Sequence, residues 1–357
     1  MWPDRRLCKL LGIEHPIIQA PMAGSATPDL AVAVSNAGGL GSLGCGELPD
    51  DSARAVTGQV RAGTNRPFNL NFFVYPEPVT DARTLARTRQ RLGPWYKESG
   101  LDEPVDVLPE KRPGFDEAKL ELVLELQPPV VSFHFGVPNA QAIRALKDAG
   151  ITLLSTATTV DEARYLAAAG VDAVIAQGWE AGGHRGSHKP TAPMDGVGTF
   201  ALVPQIVDAV DTPVIAAGGI GDGRGIAAAF ALGACGVQIG TGYLLCPEAD
   251  TDRPRRKLLS SAKDIDTLVT DAFSGRSARA VKSRYAEEME RTREPLAAFP
   301  SMYALSGPLL SAANDTDVSF HLYGQAAALS LALPAAELTR RLVDDALNTM
   351  KKLSKDC

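Results

Sequence analysis

ITLLSTATTVDEARYLAAAGVDAVIAQGWEAGGHRG, residues 151–186, holds a strand, a helix and a second strand in one pass. Residues 151–155 are a short apolar run. Thr159 followed by Glu162 is a capping box, the side-chain pattern that opens a helix. That helix closes at Ala168-Ala169-Gly170, where glycine supplies the left-handed cap. Residues 173–176 are a second apolar run, and they empty into Gln177-Gly178 and a glycine-rich loop, Gly182-Gly183-His184-Arg185-Gly186. Two buried strands joined by one capped helix make a parallel βαβ unit.

The unit recurs on both sides. Upstream, residues 17–20 precede Pro21-Met22-Ala23-Gly24, and Thr27-Pro28-Asp29 has the cap, proline and acid of a helix start. Residues 40–44, 68–73 and 130–133 are further strands, the last opening into His134-Phe135-Gly136. Asn139 can cap a helix that ends at Gly150. Downstream, a helix over 202–210 leads to a strand at 214–217 and then Gly218-Gly219-Ile220-Gly221. A helix over 225–232 leads to a strand at 236–240 and Thr241-Gly242. Gly38, Gly150, Gly170 and Gly233 each stand where a helix stops. Eight strand candidates, mostly followed by helices, predict the α/β class and a (β/α)8 TIM barrel. A doubly wound sheet would need fewer units and usually a GxGxxG after the first strand, which is missing.

Two regions break the rhythm. Residues 75–127 are too long for one loop and carry amphipathic, charged sequence, read as helices inserted after the third strand. Residues 250–310 are charged, arginine-rich and weakly periodic, read as a helical subdomain. Residues 325–352 read as an amphipathic helix pair split at Pro334. The expected organisation is a barrel over 7–250 with its insert at about 75–127, a helical substrate-side subdomain over 251–325, and C-terminal helices over 326–357 packing on the barrel.

Composition limits the partners. The 357 residues carry a net charge of -6, which argues against nucleic acid or an anionic membrane as the main partner. No apolar run approaches a membrane span or a signal peptide, so the expected location is the cytoplasm. Five scattered cysteines without a CxxC pair read as free thiols. A monomer or homodimer is expected.

In a βα barrel, chemistry sits just past the C-terminal ends of the strands. Gly218-Gly219 and Gly240-Thr241 follow the last two strands, where backbone amides can cradle a phosphate, and Arg224 can add charge. Asn71 and Gln177 end strands, and a planar amide can donate and accept along the edge of a flavin or nucleobase, or satisfy its own loop. His184 is the one side chain in its loop able to move protons near neutral pH without a large shift. His184 and His188 stand four apart, but Gly186 lies between them and no glutamate follows His184, so no metal site is expected. Glu180 is expected to pair with Arg185. His134 can line the substrate side or simply pack.

Taken together, IQAPMAG (18–24), VSNAGGLGSLG (34–44), FNLNFF (68–73), VSFHFG (131–136), AQGWEAGGHRG (176–186), AAGGIGDGRG (216–225) and VQIGTGYL (237–244) resemble the nitronate monooxygenase family, class I. The likeness covers residues 7–250, with a weaker trace in FHLYGQAA (320–327). It implies a TIM barrel holding FMN non-covalently beside a smaller helical domain. It implies oxidation of alkyl nitronates, propionate 3-nitronate among them, by O2 to a carbonyl compound and nitrite. By motif match, FMN contacts fall on Pro21, Met22, Asn71, Gln177, Gly182, Gly218, Gly219, Gln238, Ile239, Gly240 and Thr241. The same match makes His184 the base for neutral nitroalkanes, with His134 and Tyr303 on the substrate side. The stretch Tyr303 to Gly307 departs from the family in having no lysine.

Two rivals use the same features. A flavin-dependent enoyl-acyl carrier protein reductase shares the barrel motifs and the Gly-Gly-His loop but draws electrons from NAD(P)H. A non-catalytic barrel binding phosphate metabolites would leave the His184 loop without a purpose.

Overall fold

The protein is described here as a computed structural model covering residues 1–76, 81–102, 104, 114–189, 195–292, 294–312 and 316–355. Its strands in chain order are β1 (Ile17–Gln19), β2 (Gly41–Gly44), β3 (Phe68–Phe73), β4 (Val130–His134), β5 (Thr152–Ala157), β6 (Ala173–Gln177), β7 (Gly183–His184), β8 (Val214–Ala217), β9 (Gly236–Ile239), β10 (Thr267–Thr270) and β11 (Ala278–Val281).

Eight of them form one parallel sheet in the order β1-β9-β8-β6-β5-β4-β3-β2. The ends meet: Gln19 N donates to Leu40 O and Leu40 N to Ile17 O, both at 2.9 Å, and Ile18 bridges Leu40. The sheet is therefore a closed barrel, as the repeated βα units predict. β6 is buried along its whole length, as a strand covered on both faces must be. The helix Arg6–Leu11 plugs the bottom, with Leu7 and Leu11 packed on Ile18, Leu40, Leu154 and Ile215. Gly38, Gly150, Gly170 and Gly233 have φ of +88°, +78°, +92° and +92°, so all four occupy the left-handed region that ends a helix. The Thr27 and Thr159 side chains cap the helices they precede.

The smaller domain is only partly as expected. The helix Ala82–Glu98, from the insert, contributes Leu92, Trp95 and Tyr96 to a second core with Phe273, Tyr285, Met289 and Leu305. The insert's second helix, Glu117–Leu126, belongs to the barrel instead: Leu122, Val123 and Leu126 pack in the layer between strands and outer helices. The 251–325 region is not purely helical. Beside the helices Arg253–Ser260, Arg284–Thr292 and Ser301–Ala312 it forms the antiparallel pair β10–β11. The pair takes up β7 as a third strand, with Ala278 opposite His184 and Arg279 opposite Gly183.

The expected C-terminal helix pair is a short 3-10 turn, Ala327–Leu329, followed by one helix, Ala335–Lys355. Pro334 precedes that helix, where its missing N–H costs nothing. Leu338, Leu342, Val343 and Ala346 join the barrel's outer core. Cys8, Cys45, Cys235 and Cys246 are free and buried, and Cys357 lies outside the described residues. Among the described residues no helix is long and apolar enough to cross a membrane.

Candidate active site

A cavity of about 470 Å³ opens at the C-terminal ends of the barrel strands, where the fold puts its chemistry. Pro21 and Met22 line it from the β1 loop, Asn71 from β3 and His134 from β4. Gln177, Gly182 and His184 enter from β6 and β7, and Gly218, Gly219, Gln238, Gly240 and Thr241 from the loops and ends of β8 and β9. Tyr303 reaches in from the small domain. Ile239 is the exception. Its side chain is 1% exposed and sits in the core between strands and helices, because alternation along β9 turns Gln238 and Gly240 inward and Ile239 outward.

The backbone around His184 is held from two sides. Its carbonyl accepts from His134 Nε2 at 3.1 Å and from Gln177 Nε2 at 3.0 Å. Gln177 Oε1 accepts Gly186 N at 2.8 Å. The Gln177 amide is therefore committed to its loop, the structural alternative left open above. His134 is committed too, with Nδ1 at 3.1 Å from Thr156 Oγ1, so both its nitrogens serve protein partners and the ring props the loop. Burial, helped by the guanidiniums of Arg276 and Arg185 and opposed by the bond to the His184 carbonyl, holds the His134 pKa down to about 3.

The His184 ring lies among aromatic neighbours: Phe135 and Phe299 at 5.9 Å, Phe320 at 6.1 Å and Tyr303 at 6.3 Å between centroids. Burial there, with the Arg276 charge nearby, pushes its pKa down to about 4. An ordinary histidine pKa, the expectation from sequence, does not hold in this setting.

Glu180 and Arg185 do not pair with each other. The Glu180 carboxylate accepts Thr199 N at 2.8 Å and Thr199 Oγ1 at 2.9 Å, while Arg185 donates to Gly178 O at 2.6 Å and lies over the Trp179 ring at 5.2 Å. Glu162 completes its cap unconventionally. Its carboxylate takes Thr158 N at 2.7 Å, Ser187 Oγ at 3.0 Å and His188 N at 2.9 Å, so it also anchors the far end of the His184 loop.

At the other end of the cavity, Gly218 and Gly219 have φ of +96° and +71°. A side chain on Gly219 would meet the Glu180 side chain at 3.3 Å in a backbone conformation that L residues avoid. Arg224, expected to add charge here, is turned to Asp222 and is 74% exposed. A segment the motifs did not single out closes this end. Gly324 N donates to Thr241 Oγ1 at 2.9 Å, Gln325 N donates to Glu180 O at 3.0 Å, and Gly324 and Ala326 line the cavity. FHLYGQAA was the faint signal for it.

Four guanidiniums are tucked around the cavity, each donating to uncharged oxygens: Arg185 as above, Arg255 to Ser25 Oγ at 2.7 Å, Arg276 to Ser187 O at 2.9 Å and Arg279 to Trp179 O at 2.8 Å. Among the described residues none of them is in a salt bridge. Burial lowers Arg185, Arg255 and Arg276 only to about 10, so they remain charged at neutral pH. Of the four, Arg255 lines the cavity itself and provides a cation that residues 303–307 lack. Gln238 Oε1 is buried with no partner among the described residues, an acceptor waiting for a ligand's N–H. The donor set therefore suits a planar, hydrogen-bonding ring joined to a phosphate. Among the described residues no group of three or more His, Cys, Asp or Glu could hold a metal ion.

A sequence model of the family described as nitronate monooxygenase matches residues 4–345. The nitronate monooxygenase of Paraburkholderia phytofirmans is 45% identical over 356 residues, 98% of this chain and 97% of that protein. The solved structure of nitroalkane oxidase from Streptomyces ansochromogenes superposes with a TM-score of 0.89 at 37% identity, covering 97% of this chain and 99% of that one. FabK from Thermotoga maritima superposes with a TM-score of 0.77 at 32% identity, covering both chains fully at 100%. The barrel, the cavity and the match along nearly the whole length agree: the chain belongs to the nitronate monooxygenase family.

Proposed function

We propose that the protein is an FMN-dependent oxidoreductase that uses O2 to convert alkyl nitronates to carbonyl compounds and nitrite. The observation that carries this is one cavity lined by the buried His184, the positive-φ glycines Gly218 and Gly219, Gln238 with its unpartnered Oε1, and the cation Arg255. Gly218, Gly219, Gly240, Thr241 and Gly324 would hold the FMN phosphate, with Pro21 and Met22 on the ring side. Gln238 Oε1 would accept from the ring edge, and Asn71, whose Nδ2 donates to Ser132 O and Oγ, would offer only its carbonyl oxygen. Gly182 lets the backbone approach closely. When bound, FMN supplies the electron acceptor for the oxidation.

The chain's own residues do the rest. The buried guanidiniums favour an anionic substrate over its neutral conjugate acid. Tyr303 and Phe320 wall the substrate side, and burial keeps the Tyr303 phenol protonated, as a hydrogen-bond donor to an anion. For a neutral nitroalkane, His184 removes the proton on the carbon next to the nitro group. A ring held near 4 is ready in its unprotonated form but is a weak base, so preformed nitronates are the better substrates.

The sign of the pH dependence follows. Protonation of His184 abolishes the base, and a lowered pKa moves that loss to lower pH. With a neutral nitroalkane, kcat/KM is expected to stay flat from pH 7 to about 5 and to fall only as pH approaches about 4. A limb near the ordinary histidine value, about 6.5, would show that the loaded site does not keep the ring neutral.

Gly219→Val tests the phosphate end. A β-branched side chain at φ +71° is expected to weaken FMN retention about 10-fold, read by equilibrium dialysis. Unchanged affinity would remove Gly219 from the site.

The deciding experiment is an absorption spectrum of the purified protein followed by nitrite assay with propionate 3-nitronate. A flavin spectrum with nitrite release supports the reading. The likeness to FabK makes reduction by NAD(P)H the informative control: rapid flavin reduction by NAD(P)H with no nitrite from nitronates would sink it. Protein that stays colourless after FMN is added would favour a phosphate-metabolite barrel.

A further inference from the structure

His184 has two ring nitrogens, and they face different surroundings. Nε2 lies 3.0 Å from Ser274 Oγ and 3.5 Å from the Tyr303 hydroxyl. Nδ1 has no hydrogen-bond partner among the described residues, and the ring borders the cavity. Ser274 sits in the turn between β10 and β11 and is 1% exposed, so water does not compete for its hydroxyl.

The Ser274 hydroxyl has one proton to give. Its oxygen lies 3.0 Å from Arg276 O, and it accepts from Arg276 N at 3.2 Å. A carbonyl oxygen can only accept, so in this hydrogen bond the Ser274 hydroxyl donates. The Ser274 proton is thus committed to Arg276 O, and toward His184 the oxygen can only accept. The nitrogen facing it must carry hydrogen.

We propose that Ser274 is a positioning residue that holds the neutral His184 ring as its Nε2–H tautomer and leaves Nδ1 as the nitrogen that takes the substrate proton. The inference rests on the reading of His184 as base. In that step the C–H bond beside the nitro group breaks, its electron pair moves onto the nitro group to give the nitronate, and the proton ends on Nδ1. The imidazolium keeps its Nε2–H on Ser274. The second ring contact fixes which nitrogen is basic, as hydrogen bonding does for imidazoles generally. The low pKa of the ring supports this by excluding the doubly protonated form at neutral pH. The arrangement is rigid, because the Ser274 turn runs directly into β11 and is tied to the loop there: Arg185 N donates to Ser277 O at 2.8 Å, and Ala278 pairs with His184.

The test reads the tautomer directly. FMN-loaded protein labelled with 15N-histidine is studied by two-dimensional NMR at pH 7, with the His184 signals assigned by their loss in His184→Asn. Pyrrole-type Nε2 and pyridine-type Nδ1 are expected, and the reverse pattern overturns the proposal. In Ser274→Ala the tautomers are expected to mix or invert while FMN binding is kept. On neutral nitroalkanes kcat should fall roughly 10-fold with KM little changed, and Ser274→Thr should restore it. An unchanged tautomer and full activity in Ser274→Ala would equally overturn it. If Ser274→Ala does not fold, the unmodified protein and Ser274→Thr still decide. Failure of the base reading looks different: His184→Asn would then lose nitronate and nitroalkane activity equally, whatever the tautomer.

Discussion

His184→Asn is expected to keep FMN and to lose at least about 100-fold in kcat/KM on neutral nitroalkanes, with a much smaller loss on preformed nitronates. The reason lies in what each substrate requires. A neutral nitroalkane must shed a carbon-bound proton, and among the ring-bearing neighbours of the cavity only His184 offers a basic nitrogen not already used by the protein. Asparagine fits within the space of the ring without reaching Ser274, and the bonds from His134 and Gln177 to the residue-184 carbonyl are untouched, so the loop stays in place. A nitronate has already lost the proton, and for it the substitution removes only shape and polarity. Paired steady-state assays on one nitroalkane and its nitronate, together with the flavin absorbance of the variant, measure all three quantities. Equal losses on both substrates would remove the base role.

Gly182→Ala is expected to weaken FMN binding by about 5- to 150-fold, the range that an overpacking cost of about 1–3 kcal/mol implies. The clash is with backbone, which cannot swing away. A methyl on Gly182 would lie 2.4 Å from Gly324 N and 2.5 Å from the Tyr323 carbonyl carbon. Relief requires parting residues 180–182 from 323–325, which strains the bonds from Gln325 N to Glu180 O and from Gly324 N to Thr241 Oγ1. That contact closes the end of the cavity proposed to hold the phosphate, so its loss should appear in FMN affinity before it appears in the fold. Flavin fluorescence titration measures the affinity, and far-ultraviolet circular dichroism checks that the barrel persists. Native affinity would mean that the Gly182–Gly324 contact is not part of the cofactor site.

The barrel was legible because its signals are local. An apolar run, a capping side chain and a closing glycine lie within some twenty residues of one another, and Thr27, Thr159, Gly150 and Gly170 behave as their neighbours in sequence imply. The cavity residues were legible for the same reason, since they follow strand ends. What escaped depends on partners far along the chain. β7 has two residues, both half-buried, and exists only because β11 pairs with it some 90 residues later. Sequence alone leaves Gln177 and His134 open between ligand and loop, because the His184 carbonyl that accepts from both is brought to them only by the fold. Ser274 gave no periodic or motif signal, and its importance comes from a turn that brings one hydroxyl to an imidazole. Motif continuity also ignores the alternation of a strand, which turns the Ile239 side chain away from the cavity.

The braiding of β7 with β11, and of Gly182 with Gly324, has a consequence for synthesis. Every strand of the barrel has left the ribosome once residue 239 emerges, so the container can assemble early. The brace on His184 needs residues 274–281, and the seal on the phosphate end needs residue 324. A nascent chain halted between those points would have all eight barrel strands but lack the helix Ala335–Lys355 that covers part of the outer core, together with the Ser274 and Gly324 contacts. Completion of the cavity thereby waits for the last third of the chain, which supplies Ser274, Tyr303 and Gly324.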